Sequence, residues 1–223
     1  AAETGALVSG GGMLVLLGVL LYLSIQGDIT PANTLVMFLG ARLQNSVITG
    51  GSRSLMNESR EFIVLVQNPE ETSYVFDAPK TKLVELKSRG VAKSRNAALK
   101  YASGKYLIFG DDDIVFDESG IAKLVEYFEN HPECAIIMAQ TSDETGTLRK
   151  SYPAKEAKLT KYNSAKAATY EMMVRLDAIR ASGITFDENF GAGAENFLGD
   201  EYIFIADALK RGLKGTYLPI RVA

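Results

Sequence analysis

From residue 62 onward, short apolar runs of strand length alternate with segments of helical spacing, and that alternation admits few folds. FIVLVQ (62–67), TKLVEL (81–86), KYLIFG (105–110), CAIIMAQT (134–141) and KGTYLP (214–219) read as strands. GVAKSRNAALKYA (90–102), SGIAKLVEYFENH (119–131), EMMVRLDAIRASG (171–183) and DEYIFIADALKRGL (200–213) read as helices. Gly104, Gly183 and Gly212 stand where three of these helices should stop. Strand–helix–strand alternation predicts an α/β fold with a mostly parallel, Rossmann-like sheet flanked by helices. Ligands are expected at the carboxyl ends of its strands. The polar, Lys-rich stretch 142–170 is expected to form long loops with one or two short strands.

The first sixty residues have a different character. No charged residue occurs between Ala6 and Ile25, and Met13 to Leu23 is almost wholly aliphatic. About twenty such residues suffice for a bilayer-crossing helix. Gly27-Asp28 reads as a turn, Thr30-Pro31 as an N-cap followed by proline at the first helical position, and Leu35 to Ile48 as a second apolar stretch. The sequence therefore predicts a helical hairpin over 5–48 with membrane contact through 6–48; two buried helices are the plain alternative. Arg42 and Arg53 place the cytoplasm on the far side of the first helix. Residues 49–61, rich in Gly, Ser and Asn, read as a linker, and 62–223 as the α/β domain.

Composition removes several classes of chemistry. A net charge of −3 offers no basic face for nucleic acid. One cysteine, Cys134, excludes an intrachain disulfide and a cysteine metal cluster. The single histidine, His131, precedes Pro132 in a polar stretch and reads as a surface turn residue, which disfavours Ser-His-Asp and Cys-His mechanisms.

The acidic clusters carry the functional signal. Asp111-Asp112-Asp113 follows the strand 105–110 directly. Three carboxylates at one strand end repel one another and call for a compensating cation. A divalent ion completed by substrate phosphates is the natural candidate. Strand alternation turns Asp111 and Asp113 to one side and Asp112 to the other. A solvated acidic turn is the structural alternative.

GVAKSRNAALKYASGKYLIFGDDD resembles the inverting glycosyltransferases of family 2, which have the GT-A fold. Gly90, Arg95, Asn96, Ala102, Gly104, Asp111 and Asp113 fall at the family's pattern positions. FDENFGAGAENFLGDEYIFIADALKRGLKGTYLP resembles the family's acceptor-side segment. The resemblance implies a GT-A-like domain that transfers a sugar from a nucleotide-sugar, with a UDP-sugar as the expected donor, to a hydroxyl of a glycan or polysaccharide. It implies Asp111 on the donor, Asp113 with Asp111 on Mn²⁺ or Mg²⁺, and Arg95 near the nucleotide base or diphosphate, with Asn96 beside it. Asn68 stands where the family's second strand usually ends in an aspartate near uracil. The general base falls on Glu201, which occupies the family's base position, with Asp200 as second choice; acids complementing a helix dipole are the structural alternative. Gly191 and Gly193 would shape the loop beneath the acceptor. The order Asp-Glu departs from the family's usual Glu-Asp.

Two family elements are not found in the sequence: the opening strand-turn of the nucleotide pocket and a later metal-binding histidine. TLVMFLGAR (34–42) is the only apolar run in the right place for the first, and it lacks the expected Pro and Asn. Residues 7–48 instead resemble the last two membrane helices of type I secretion ABC exporters. The expected location is the cytoplasmic face of a bacterial inner membrane, or the cytoplasm. Two other readings stay open: a non-catalytic, membrane-associated transport or structural fragment with a remnant transferase domain, and a different metal-dependent enzyme of phosphate esters.

Overall fold

The structure, a computed structural model, describes residues 17–19, 35–42, 61–67, 81–111 and 114–223. The strands are β1 (Leu17–Val19), β2 (Leu35–Arg42), β3 (Glu61–Gln67), β4 (Thr81–Leu86), β5 (Tyr106–Asp111), β6 (Cys134–Gln140), β7 (Ala157–Lys158), β8 (Met172–Arg175) and β9 (Lys214–Arg221). The helices are α1 (Val91–Tyr101), α2 (Glu118–Asn130), α3 (Leu176–Ser182) and α4 (Asp200–Lys210). All the strands join one sheet in the order β4-β3-β2-β5-β8-β6-β9-β7, with β1 antiparallel on β2. β2, β3, β4, β5, β6 and β9 run the same way, and the short β1, β7 and β8 oppose them.

The expected α/β sheet is therefore present, and two segments within it differ from their sequence reading. Residues 35–42, predicted as part of a helix, form β2, which pairs in parallel with β3 on one side and β5 on the other. The run of uncharged residues from Leu35 to Ala41 carries no periodicity, so sheet pairing on both edges decides between helix and strand. β2 occupies the place in the sheet that the missing opening strand would fill. Residues 17–19 are likewise a strand, not a helix. These strands replace the helical hairpin, and with it the exporter-like helices, wherever the segment is described; the rest of 5–48 lies outside the described residues. Among the described residues no helix is long and apolar enough to cross a membrane.

The second difference is at 171–183. Glu171 closes a 3-10 turn (Thr169–Glu171), Met172–Arg175 is β8, and only Leu176–Ser182 is helical. The apolar Met-Met-Val run is wholly buried between β5 and β6, where antiparallel pairing takes its backbone groups. Gly183 ends α3 as expected, in the left-handed conformation.

The core lies on both faces of the sheet. Tyr106 stacks on Phe128 of α2 at 4.7 Å, and Phe186 stacks on Phe204 of α4 at 4.2 Å. α1 gains a cap from α3: Arg180 donates to the carbonyls of Leu99 and Ala102, which lack intrahelical partners at a helix end. α2 starts at Asp117, whose carboxylate accepts from the Ser119 and Gly120 amides.

Candidate active site

Gln67, the last residue of β3, sets the start of α1. Its side chain donates to the Gly90 carbonyl (2.6 Å) and the Ser94 hydroxyl (2.5 Å) and accepts from the Gly90 amide (3.3 Å). One turn into α1, Arg95 turns inward and is nearly buried. Its guanidinium lies over the Phe186 ring at 5.6 Å, forms an ion pair with Asp200 and reaches Glu201 Oε1 at 3.1 Å. Asn96, its neighbour, is tied to the Phe186 backbone from both ends: its Nδ2 donates to the Phe186 carbonyl (2.9 Å) and its Oδ1 accepts the Phe186 amide (2.7 Å). Asn96 Nδ2 also donates to Glu188 Oε1 at 3.1 Å.

The loop before α4 comes close because two of its residues lack a side chain. A Cβ on Gly191, whose φ is +92°, would fall 2.6 Å from Val91 Cγ1 and 2.8 Å from the Asp200 carboxyl carbon. A Cβ on Gly193 would lie 3.2 Å from Gly90. Glycine here lets the loop backbone pack on the start of α1. Val91 donates its amide to the Ala192 carbonyl at 2.9 Å, which seals the contact.

Asp200 and Glu201 open α4, where the helix dipole favours anions. Their surroundings separate them. Asp200 is 3% exposed and Glu201 21%. Burial pushes Asp200 up, and the neighbouring Glu201 carboxylate adds to this; Arg95 opposes both, and the result is about 6. Burial also acts to raise Glu201, but the Arg95 guanidinium and the hydrogen bond from Thr169 outweigh it and hold Glu201 below the usual range. Thr169 Oγ1 donates to Glu201 Oε1 at 2.8 Å. In a coupled pair of this kind the more buried acid retains its proton and the other stays ionised.

Residues 68–182, just over half of the chain, match the glycosyl transferase family 2 profile. The chain belongs to glycosyl transferase family 2. No curated protein matches the sequence. Among solved structures, S. aureus TarS is similar with a TM-score of 0.50 and 16% identity, covering 70% of this chain and 29% of that one. TarS 1–349 gives a TM-score of 0.49 at 16% identity over 69% of this chain and 48% of that one. TarS 1–349 in complex with UDP gives 0.49 at 16% identity, over 69% and 47%. The chain thus spans less than half the length of these solved chains, and the likeness is one of fold.

Within this family-2 fold, Arg95, Asp200 and Glu201 come together as one cluster, although about a hundred residues separate the arginine from the acids. Asp111 ends β5 at the carboxyl edge of the sheet and is partly exposed. Its carboxylate is close enough to Tyr170 to help raise that phenol. Asn68 and Asp113 lie outside the described residues. Among the described residues no group of three or more His, Cys, Asp or Glu forms a metal-binding cluster.

Several site residues were not found from the sequence. Thr169 and Tyr170 sit on the 3-10 turn beside the end of β5, joining the Asp111 side to the Glu201 side. Behind them Glu171 is wholly buried and accepts from Lys150 (2.6 Å), Tyr152 (2.6 Å) and Thr141 (3.2 Å). Lys150, Tyr152, Thr169 and Tyr170 lie in the polar stretch 142–170, which has no periodic pattern, so only tertiary structure brings them to Glu171 and Glu201. The one available signal was the Thr-Tyr-Glu triplet just before an apolar run, and it is weak.

Proposed function

We propose that the chain is a metal-dependent inverting glycosyltransferase that moves a sugar from a nucleotide-sugar, preferably a UDP-sugar, to a hydroxyl of a glycan or polysaccharide. The observation that carries this reading is the Arg95–Asp200–Glu201 cluster at the start of α4, in a family-2 fold. In the reaction an acceptor hydroxyl oxygen attacks the anomeric carbon. The bond from that carbon to the diphosphate oxygen breaks, the nucleoside diphosphate leaves, and the configuration inverts.

Glu201 takes the hydroxyl proton. It is the more exposed acid and the one held ionised, while Asp200 is buried and retains its proton to higher pH. Arg95 and Thr169 keep the Glu201 carboxylate in place. Asp111 at the strand end contacts the donor. Asp111 and Asp113 would hold Mn²⁺ or Mg²⁺; Asp111 offers the hard oxygen donor such ions prefer, at the sheet edge where phosphates bind. A cation bound there supplies charge neutralisation for the leaving diphosphate. The non-catalytic reading loses much of its support, because β2 fills the centre of the sheet where the opening strand had been missing.

The test is calorimetric titration of UDP and UDP-sugars into the chain with and without Mn²⁺, alongside Asp113→Ala. UDP is the first nucleotide to try, since TarS 1–349 has been solved in complex with it. Binding that requires the metal and vanishes in the variant supports the donor site. A folded chain that binds no nucleotide under either condition is not a working transferase.

A further inference from the structure

A nucleoside diphosphate leaves with concentrated negative charge, and the proteins that release it place a cation where that charge develops. The sequence suggests Arg95 for this purpose, but in the fold Arg95 is nearly buried and divided between Asp200 and Glu201. Lys150 is likewise committed, held 2.6 Å from the buried Glu171 carboxylate and donating to the Lys166 carbonyl. The charge accounting therefore calls for a different group.

A groove of about 900 Å³ opens along the end of β5. Ile114, Thr141, Arg149 and Tyr170 line it, together with the acids Asp143 and Glu144. Tyr170, which lines this groove, is near enough to Asp111 to feel its carboxylate, and the Ile114 amide donates to the Asp111 carbonyl at 3.2 Å. Among the described residues Arg149 is the only cation lining it. Its side chain is 51% exposed, and its guanidinium lies 4.8 Å over the Tyr170 ring. Its contact with Glu171 is long, 3.8 Å, to a carboxylate that already has Lys150, Tyr152 and Thr141. The charge of Arg149 is thus largely unspent.

Arg149 is also mounted firmly. Its amide donates to the Thr141 carbonyl at 3.0 Å, and Ser142 and Leu148 bridge in antiparallel register one step further out. Asp143 closes the tip of that loop by accepting from the Thr145 and Thr147 amides. A half-exposed guanidinium held over an aromatic ring keeps N–H groups available to an incoming anion at low entropic cost.

We propose that Arg149 binds the diphosphate of the nucleotide-sugar donor and stabilises it as it leaves, with Tyr170 holding the guanidinium in place. This rests on the transferase reading above. It assigns to Arg149 the diphosphate contact that the family resemblance implies for Arg95, and leaves Arg95 to hold the carboxylate pair.

The experiment is calorimetric titration of UDP and of uridine, with Mn²⁺ present, into the wild-type chain, Arg149→Gln and Arg149→Lys. Arg149→Gln is expected to weaken UDP binding about tenfold or more while uridine binding stays within about twofold, and Arg149→Lys to recover part of the loss. UDP binding in Arg149→Gln within about twofold of wild type overturns the proposal and leaves the transferase reading intact. Equal losses for uridine and UDP also overturn it, since they would report a general disturbance of the site. A wild-type chain that binds neither ligand overturns both.

Discussion

Two acidic sites meet at the 3-10 turn Thr169–Glu171, and they are built on opposite principles. Glu171 has no exposure and accepts from a lysine, a tyrosine and a threonine. Its charge is matched and its hydrogen bonds are filled, so it can do nothing more. Asp200 and Glu201 share a single guanidinium, and one of them reaches solvent. Once Asp200 ionises, above about 6, two carboxylates share one cation and one negative charge is left over. The difference shows how a structural acid can be told from a chemical one: burial and proximity to the site are common to both, and the separating quantity is charge left over once partners are counted.

The largest expected effect tests the chemical side of this comparison. Glu201→Gln should lower kcat by about 10²–10⁴ while leaving UDP affinity nearly unchanged, because a general base acts on the acceptor and not on the nucleotide. Steady-state kinetics beside calorimetry checks this; retained turnover would move the base to Asp200 or elsewhere. On the structural side, Lys150→Met strands the Glu171 carboxylate in the interior. That should cost about 3 kcal/mol of stability, measured by urea denaturation, since one partner of a buried pair is lost while the other stays charged. An unchanged midpoint would mean that Tyr152, Thr141 and Arg149 satisfy Glu171 without the lysine, and the comparison would weaken.

The smallest effect is the pH dependence of Asp200. Its folded-state value, about 6, lies above the ordinary value of 3.8, so folding takes up a proton between them. The stability from this group is fully present below its unfolded value and is lost as pH rises through about 6. Asp200→Asn removes the titration and keeps a hydrogen-bond donor. Wild-type stability minus that of the variant should therefore fall between about pH 4 and pH 6. A flat difference would show that Arg95 holds Asp200 ionised throughout.

Much of the sheet was legible because its strands are short, apolar and punctuated by Gly or Asp. β3, β4, β5, β6 and β9 fall where the pattern puts them, as do α1, α2 and α4. β2 was not legible as a strand, because the apolar run Leu35 to Ala41 satisfies helix and strand alike and the choice rests on neighbours far along the chain. Met172–Arg175 failed for a related reason: a short buried strand runs straight into a helix with no intervening breaker. In the site, the pattern positions Arg95, Asp200 and Glu201 meet. What the pattern could not reveal was how Arg95 is spent, since an arginine's partners follow from tertiary geometry and not from its motif. Thr169 and Arg149 come from a stretch with no period at all, where only long-range pairing gives a residue its neighbours, and nothing in the run 171–183 marks Glu171 as buried.

The ties between α1 and the segment before α4 also bear on when the site comes into being. Arg95 meets Asp200 across 105 residues, and Asn96 meets Phe186 across 90. Contacts this distant in sequence close only after the intervening chain has been ordered, because the entropy of loop closure must first be offset by more local structure. The parallel strands and α1 can assemble earlier, from pairings closer in sequence. The carboxylate pair is thus among the last features to acquire its native surroundings, and a folding intermediate with most of its sheet in place would still lack a positioned base.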